Sequence, residues 1–80
     1  MITFYGSQLC PDCRAALAQL QAKGTPHNFV EITASLDNLK AFLNLRDSSD
    51  AFAGVKAAGG IGIPAFVRED GTVTLDLEAL

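Results

Sequence analysis

Apolar positions recur along this chain with two different periods, and the switches between them mark out its elements. Residues 2–5 (Ile-Thr-Phe-Tyr) are β-branched or aromatic and read as a short strand. From residue 13 the period lengthens. Cys13, Leu17 and Leu20, with Ala16 beside them, fall on one helical face. Pro11 suits the first position of that helix, where a missing N–H costs nothing, so Cys10 is the expected N-cap. Gly24 stops the helix and Pro26 prevents its resumption. Phe29, Val30 and Ile32 carry a second strand over residues 27–32. Ser35 then caps a second helix whose buried stripe is Leu36, Leu39, Phe42 and Leu43.

Residues 46–49 (Arg-Asp-Ser-Ser) break that stripe. Asp50 is the expected cap of a third, short helix with Phe52 and Val55 facing inward, ended by Gly59 and Gly60. Residues 61–64 form a loop. Residues 65–68 and 72–75 read as two strands of a hairpin turned at Asp70-Gly71, and Asp76 caps a last turn over residues 77–80. Strand, helix and strand within about 30 residues make a βαβ unit with parallel strands and a right-handed crossover. Adding an antiparallel hairpin gives an α/β domain over residues 1–80: a mixed four-stranded sheet with helices on its faces.

Composition narrows what such a domain does. With 80 residues, 49% hydrophobic and 19% charged, the chain is globular and has room for one domain. Its formal charge is -3, and its six Lys and Arg are scattered singly, which gives no footprint for nucleic acid. After Arg68 only acidic charges remain, an edge that repels phosphate or an anionic membrane. No apolar run is long enough to span a bilayer. Both cysteines sit in one local motif, whereas a secreted domain this small usually carries several disulfides. No basic segment followed by a long apolar stretch opens the chain, so a cytoplasmic monomer is expected.

The chemistry lies in Cys10-Pro11-Asp12-Cys13. Two thiols spaced C-x-x-C across the first turn of a helix can close a redox disulfide. The helix end carries roughly half a positive charge, and the free N–H groups of Asp12 and Cys13 are expected to favour a thiolate at Cys10. Cys10 then attacks a substrate disulfide, and Cys13, a thiol until needed, resolves the mixed disulfide. Asp12 is a like charge near the thiolate. It disfavours ionisation and makes the pair more reducing, with Arg14 offsetting part of this. It is equally a favourable first-turn helix residue. Pro64 opens the third strand. A trans peptide is the commoner case there, whereas a cis Ile63–Pro64 bond leaves the Ile63 backbone free to pair with an extended ligand.

Taken together, Phe4-Tyr5, the Cys10-Pro11-Asp12-Cys13 turn, Ile63-Pro64 and the Asp70-Gly71 hairpin resemble the glutaredoxin family, over most of the chain. The Pro11-Asp12 pair and residues 39–47 (Leu-Lys-Ala-Phe-Leu-Asn-Leu-Arg-Asp) look like a short bacterial group of glutaredoxin-related proteins. The resemblance implies a thioredoxin-like fold with strand order 2-1-3-4, Cys10 as nucleophile, Cys13 as resolving thiol and a cis Pro64. It implies no bound cofactor, disulfide-containing proteins or small thiols as substrates, and glutathione as co-substrate. Tyr5, Pro11, Asp12, Ile63, Pro64 and Asp76 would line the substrate or glutathione groove, and Arg46 or Lys56 would meet a carboxylate. The chain departs from the family where Ser7 replaces a frequent lysine and where Leu75-Asp76-Leu77-Glu78 replaces a Gly-Gly pair and its following aspartate. The final helix is truncated. Thioredoxin reductase is then the alternative electron donor.

Two readings from other classes compete. C-x-x-C is half of a zinc or iron–sulfur site, but four ligands are usual and only His27, at the far end of the helix, is on offer. No metal ligand set is therefore assigned, and a homodimer sharing a cluster would be needed. The other alternative is a binding module whose thiols never turn over.

Overall fold

The computed structural model describes residues 1–80. Its sheet has four strands in the order β2-β1-β3-β4, with β1 spanning Ile2–Gly6, β2 His27–Glu31, β3 Ala65–Val67 and β4 Val73–Thr74. β1 and β2 are parallel, with Phe4 opposite Phe29. They are joined through α1 (Pro11–Ala22), as the βαβ reading requires. β3 runs antiparallel to β1, with Phe66 opposite Phe4, and β4 is antiparallel to β3. The hairpin turn is closed by Gly71 N–H to the Arg68 carbonyl at 2.9 Å, and Gly71 takes φ 88°, a left-handed value suited to glycine.

Strand alternation sends side chains to two faces, and each face meets its own helices. On one, Phe4 and Phe66 pack against Cys13, Ala16 and Leu20 of α1. Phe4 sits between its strand neighbours, its ring centroid 5.0 Å from Phe29 and 4.8 Å from Phe66. On the other face, Ile32 and Ala65 meet Phe42 and Phe52, with Tyr5 half-buried beside them. Phe42 lies on α2 (Leu36–Ser48). Phe52 ends a 3-10 turn (Asp50–Phe52) that runs into α3 (Ala53–Ala57). The sheet is thus sandwiched, α1 on one side and α2 and α3 on the other.

Several boundaries differ from the sequence reading. α2 does not break at residue 46 but continues to Ser48, because Arg46 and Asp47 are compatible with a helix and Leu45 packs on the core. Ser49, not Asp50, caps the next segment, its hydroxyl accepting from Ala51 N–H at 3.3 Å. The expected α2 stripe is only partly buried. Phe42 is fully buried and Leu39 half-buried, but Leu36 is 72% and Leu43 39% exposed. Leu43 sits about 100° round the helix from Phe42 and so turns off the inward face. On α1, Leu17 is half-buried where Cys13, Ala16 and Leu20 are buried. β4 has two residues where four were expected. The expected caps at Ser35 and Asp76 are present. Ser35 Oγ accepts from Asn38 N–H at 3.1 Å, and an Asp76 carboxylate oxygen accepts from Glu78 N–H at 3.0 Å, opening a 3-10 turn at Leu77–Ala79.

Candidate active site

The C-terminal ends of β1 and β2 meet at one edge of the sheet, where Gly6 pairs with Glu31. Beyond Gly6 the chain turns through residues 7–9 into α1, and this turn carries the cysteines. Cys10 N–H donates to the Ser7 carbonyl at 3.0 Å, and Arg14 N–H donates to the Cys10 carbonyl at 3.1 Å, the first bond of the helix. Cys10 is the N-cap, with extended backbone (φ -96°, ψ 123°) and Pro11 following it. Its side chain is half-exposed and its neighbour Cys13 is fully buried, and both are free thiols.

One expectation is corrected at Cys10: no helix N–H donates to its sulfur. The side chain packs instead against the cluster that buries Cys13. Burial pushes the Cys13 thiol up from 9.0 to about 11. The Ser7 N–H beside that sulfur works against the rise. The Cys10 sulfur and the negative charge of Asp12 add to it. Cys13 is accordingly held as a thiol, and Asp12 bears on the inner sulfur.

Gly6 makes this packing possible. A Cβ there would lie 2.7 Å from the Phe4 ring and 2.9 Å from Cys13 Sγ, so the inner sulfur rests directly over the end of β1. Ser7, 3% exposed, is the next anchor, its hydroxyl accepting from Leu9 N–H at 3.1 Å.

Glu31 is the residue sequence reasoning missed. Its carboxylate accepts from Gln8 N–H at 2.7 Å and from the Thr33 hydroxyl at 2.8 Å, with a longer bond from Thr33 N–H. Partial burial raises its pKa, but the donors of Gln8, Thr33 and Ser7 outweigh that and hold the carboxyl below its ordinary range. Glu31 thereby fastens the turn that presents the cysteines to the end of β2. The available signal was its place: a lone carboxylate at the carboxyl end of a parallel strand, where sites in such sheets cluster.

Two grooves flank the motif. One, of about 350 Å³, has Cys10 in its wall together with Leu9, Ile32, Ile61, Ile63 and Thr33. The other, of about 320 Å³, lies along α1 between Asp12, Pro64, Leu75, Leu77 and Glu78. Ile63 and Pro64, joined by a cis peptide, thus border opposite sides of the motif. Pro11 is exposed at the tip.

The remaining expected site residues lie elsewhere. Tyr5 projects to the opposite sheet face, its ring 6.1 Å from Phe42, and lines neither groove. Asp76 caps its own turn. Arg46 is not free for a ligand carboxylate. It donates to the carbonyls of Ile61 at 2.8 Å and Gly60 at 2.6 Å, tying α2 to the loop before Pro64. Lys56 is exposed on α3, away from both grooves. Arg14 donates to the Gln8 carbonyl at 2.7 Å. His27 pairs through Nδ1 with the Thr25 carbonyl at 2.8 Å. No three His, Cys, Asp or Glu side chains converge to hold a metal ion. No helix is long and apolar enough to cross a membrane.

No protein-family model matches the chain. No solved structure matches it. The chain is 47% identical over 79 residues to an uncharacterized protein of Haemophilus influenzae, covering 99% of this chain and 91% of that protein. The chain belongs to the same family as that protein.

Proposed function

We propose that this protein is a thiol–disulfide oxidoreductase with a thioredoxin-like fold, similar to the glutaredoxins. The observation that carries the reading is the unequal environment of two sulfurs on one helical turn. Cys10 is half-buried at the helix start, while Cys13 is fully buried and held protonated up to about 11. An accessible nucleophile with a sheltered partner in contact is the arrangement a two-step exchange needs.

The Cys10 thiolate attacks one sulfur of a substrate disulfide. The substrate S–S bond breaks, a Cys10–substrate disulfide forms, and the first substrate sulfur leaves as a thiolate that takes a proton. Cys13 then gives up its proton and attacks Cys10, releasing the second substrate thiol and closing the Cys10–Cys13 disulfide. The substrate gains two electrons and the protein dithiol loses two. An electron donor, glutathione or a thioredoxin reductase, restores the dithiol. Both cysteines lie in this one motif, which suits a reducing compartment such as the cytoplasm.

The test is reduction of a small mixed disulfide with glutathione and its reductase, compared with thioredoxin reductase, on the natural protein and Cys10→Ser. Turnover with at least one donor, abolished by Cys10→Ser, is expected. Absence of turnover with both would remove the reading.

A further inference from the structure

Any substrate joined to Cys10 in a mixed disulfide must place its flanking groups beside that sulfur, and the two grooves offer different chemistry there. The groove whose wall includes Cys10 carries no charged side chain. Two large apolar side chains are left open to water on it, Leu9 at 79% and Ile61 at 60% exposure. The groove on the Asp12 side carries two carboxylates, Asp12 and Glu78, and no cation. Arg14 and Arg46 already donate to backbone carbonyls and line neither groove. Each half of glutathione disulfide carries two carboxylates and one ammonium. It would meet an apolar wall on one side and like charge on the other, with no cation placed to receive its carboxylates. An extended segment with an apolar side chain next to its cysteine would cover Leu9 and Ile61 and desolvate no charge.

Resting on the oxidoreductase reading, we propose that the groove beside Cys10 selects protein disulfides whose cysteine is flanked by apolar residues, and that it discriminates against glutathione disulfide. The occupant is an apolar side chain adjacent to the attacked cysteine, seated against Leu9, Ile61 and Ile63. Its partner chemistry is set by uncharged walls on the Cys10 side and by carboxylates on the other.

The experiment uses prereduced protein in single turnover, so no external donor enters. The substrates are symmetric disulfides of short, end-blocked peptides with leucine or glutamate on both sides of the cysteine, glutathione disulfide, and hydroxyethyl disulfide, which has no flanking side chains. Each rate is divided by the rate of the same disulfide with dithiothreitol, which removes intrinsic reactivity. The leucine peptide is expected to react about tenfold or more faster than the glutamate peptide and glutathione disulfide. Ile61→Glu, which changes an exposed side chain and keeps the carbonyl that Arg46 meets, is expected to bring that ratio down to about one. Equal normalised rates for the two peptides, a preference for glutathione disulfide, or an unchanged ratio in Ile61→Glu would overturn the inference while hydroxyethyl disulfide was still reduced. Failure to reduce hydroxyethyl disulfide would instead overturn the oxidoreductase reading beneath it. A reduced protein that sediments as a dimer and is dissociated by Ile61→Glu would assign the groove to a second copy of the chain and also overturn the inference.

Discussion

Cys13 keeps its proton because burial removes the water that would stabilise its thiolate, and three neighbours then adjust it: Ser7 N–H downward, Cys10 and Asp12 upward. The turn that carries Ser7 toward the inner sulfur is held by Glu31, at the end of β2. Glu31 accepts from Gln8 N–H at the middle of the three residues between Gly6 and Cys10, and so fastens that turn to the strand. Removing its carboxylate leaves Gln8 N–H without that acceptor and loosens the Ser7 amide that faces the inner sulfur. Glu31→Ala is therefore expected to slow the resolving step by about threefold to tenfold, read as delayed release of the second thiol in stopped-flow. Glu31→Gln, which keeps an amide oxygen for Gln8 N–H, should recover most of that loss. An Ala variant that resolves at the natural rate would show that the turn holds its shape without Glu31.

The elements explain why parts of the fold were legible in the sequence. Period and punctuation were enough for α1, because Pro11 and Gly24 bracket one apolar face, and for the hairpin, because Asp70-Gly71 has few other uses. They failed at α2. Leu36 and Leu43 are as apolar as Phe42, and which of them faces the sheet depends on where the helix axis lies, which periodicity alone does not carry. They also failed at Gly6, one residue beyond the strand that residues 2–5 predict. The structure keeps it in β1 since the space its Cβ would fill holds Phe4 and Cys13. The cysteine pair and the Ile63–Pro64 segment were readable as local motifs, whereas Glu31 and Arg46 act through contacts with residues 23 and 15 positions away, beyond any local pattern. Gly6→Ala follows from the strand and helix meeting at that point. It should destabilise the protein by about 1–3 kcal/mol, measured by denaturant unfolding, with no loss of secondary structure by circular dichroism. A stability change below about 0.5 kcal/mol would mean that α1 can withdraw from the sheet at little cost.

At the scale of the whole molecule, two buttressed faces hold the cysteine turn at one end of the sheet, and its ionisable groups link stability to pH. The Cys13 thiol sits near 9.0 when unfolded and about 11 when folded, so between those values the unfolded chain has lost a proton that the folded one keeps. Alkali therefore favours unfolding: the contribution is fully present below 9.0 and lost as pH rises to about 11. Glu31 works in the opposite direction. Its folded value lies below the ordinary 4.5, so its contribution is present above 4.5 and lost as pH falls through the folded value. The unfolding midpoint of the reduced protein is expected to fall across the alkaline window, and Cys13→Ala should flatten that fall. An equally steep fall in the variant would place the alkaline loss in other groups. The division of labour between the two sulfurs is tested most directly by intact-mass analysis of the products with hydroxyethyl disulfide. Reduced natural protein should end as an internal disulfide, Cys13→Ser as a single adduct on residue 10, and Cys10→Ser unmodified. An adduct on Cys13 in the Cys10→Ser protein, or natural protein left reduced, would contradict it.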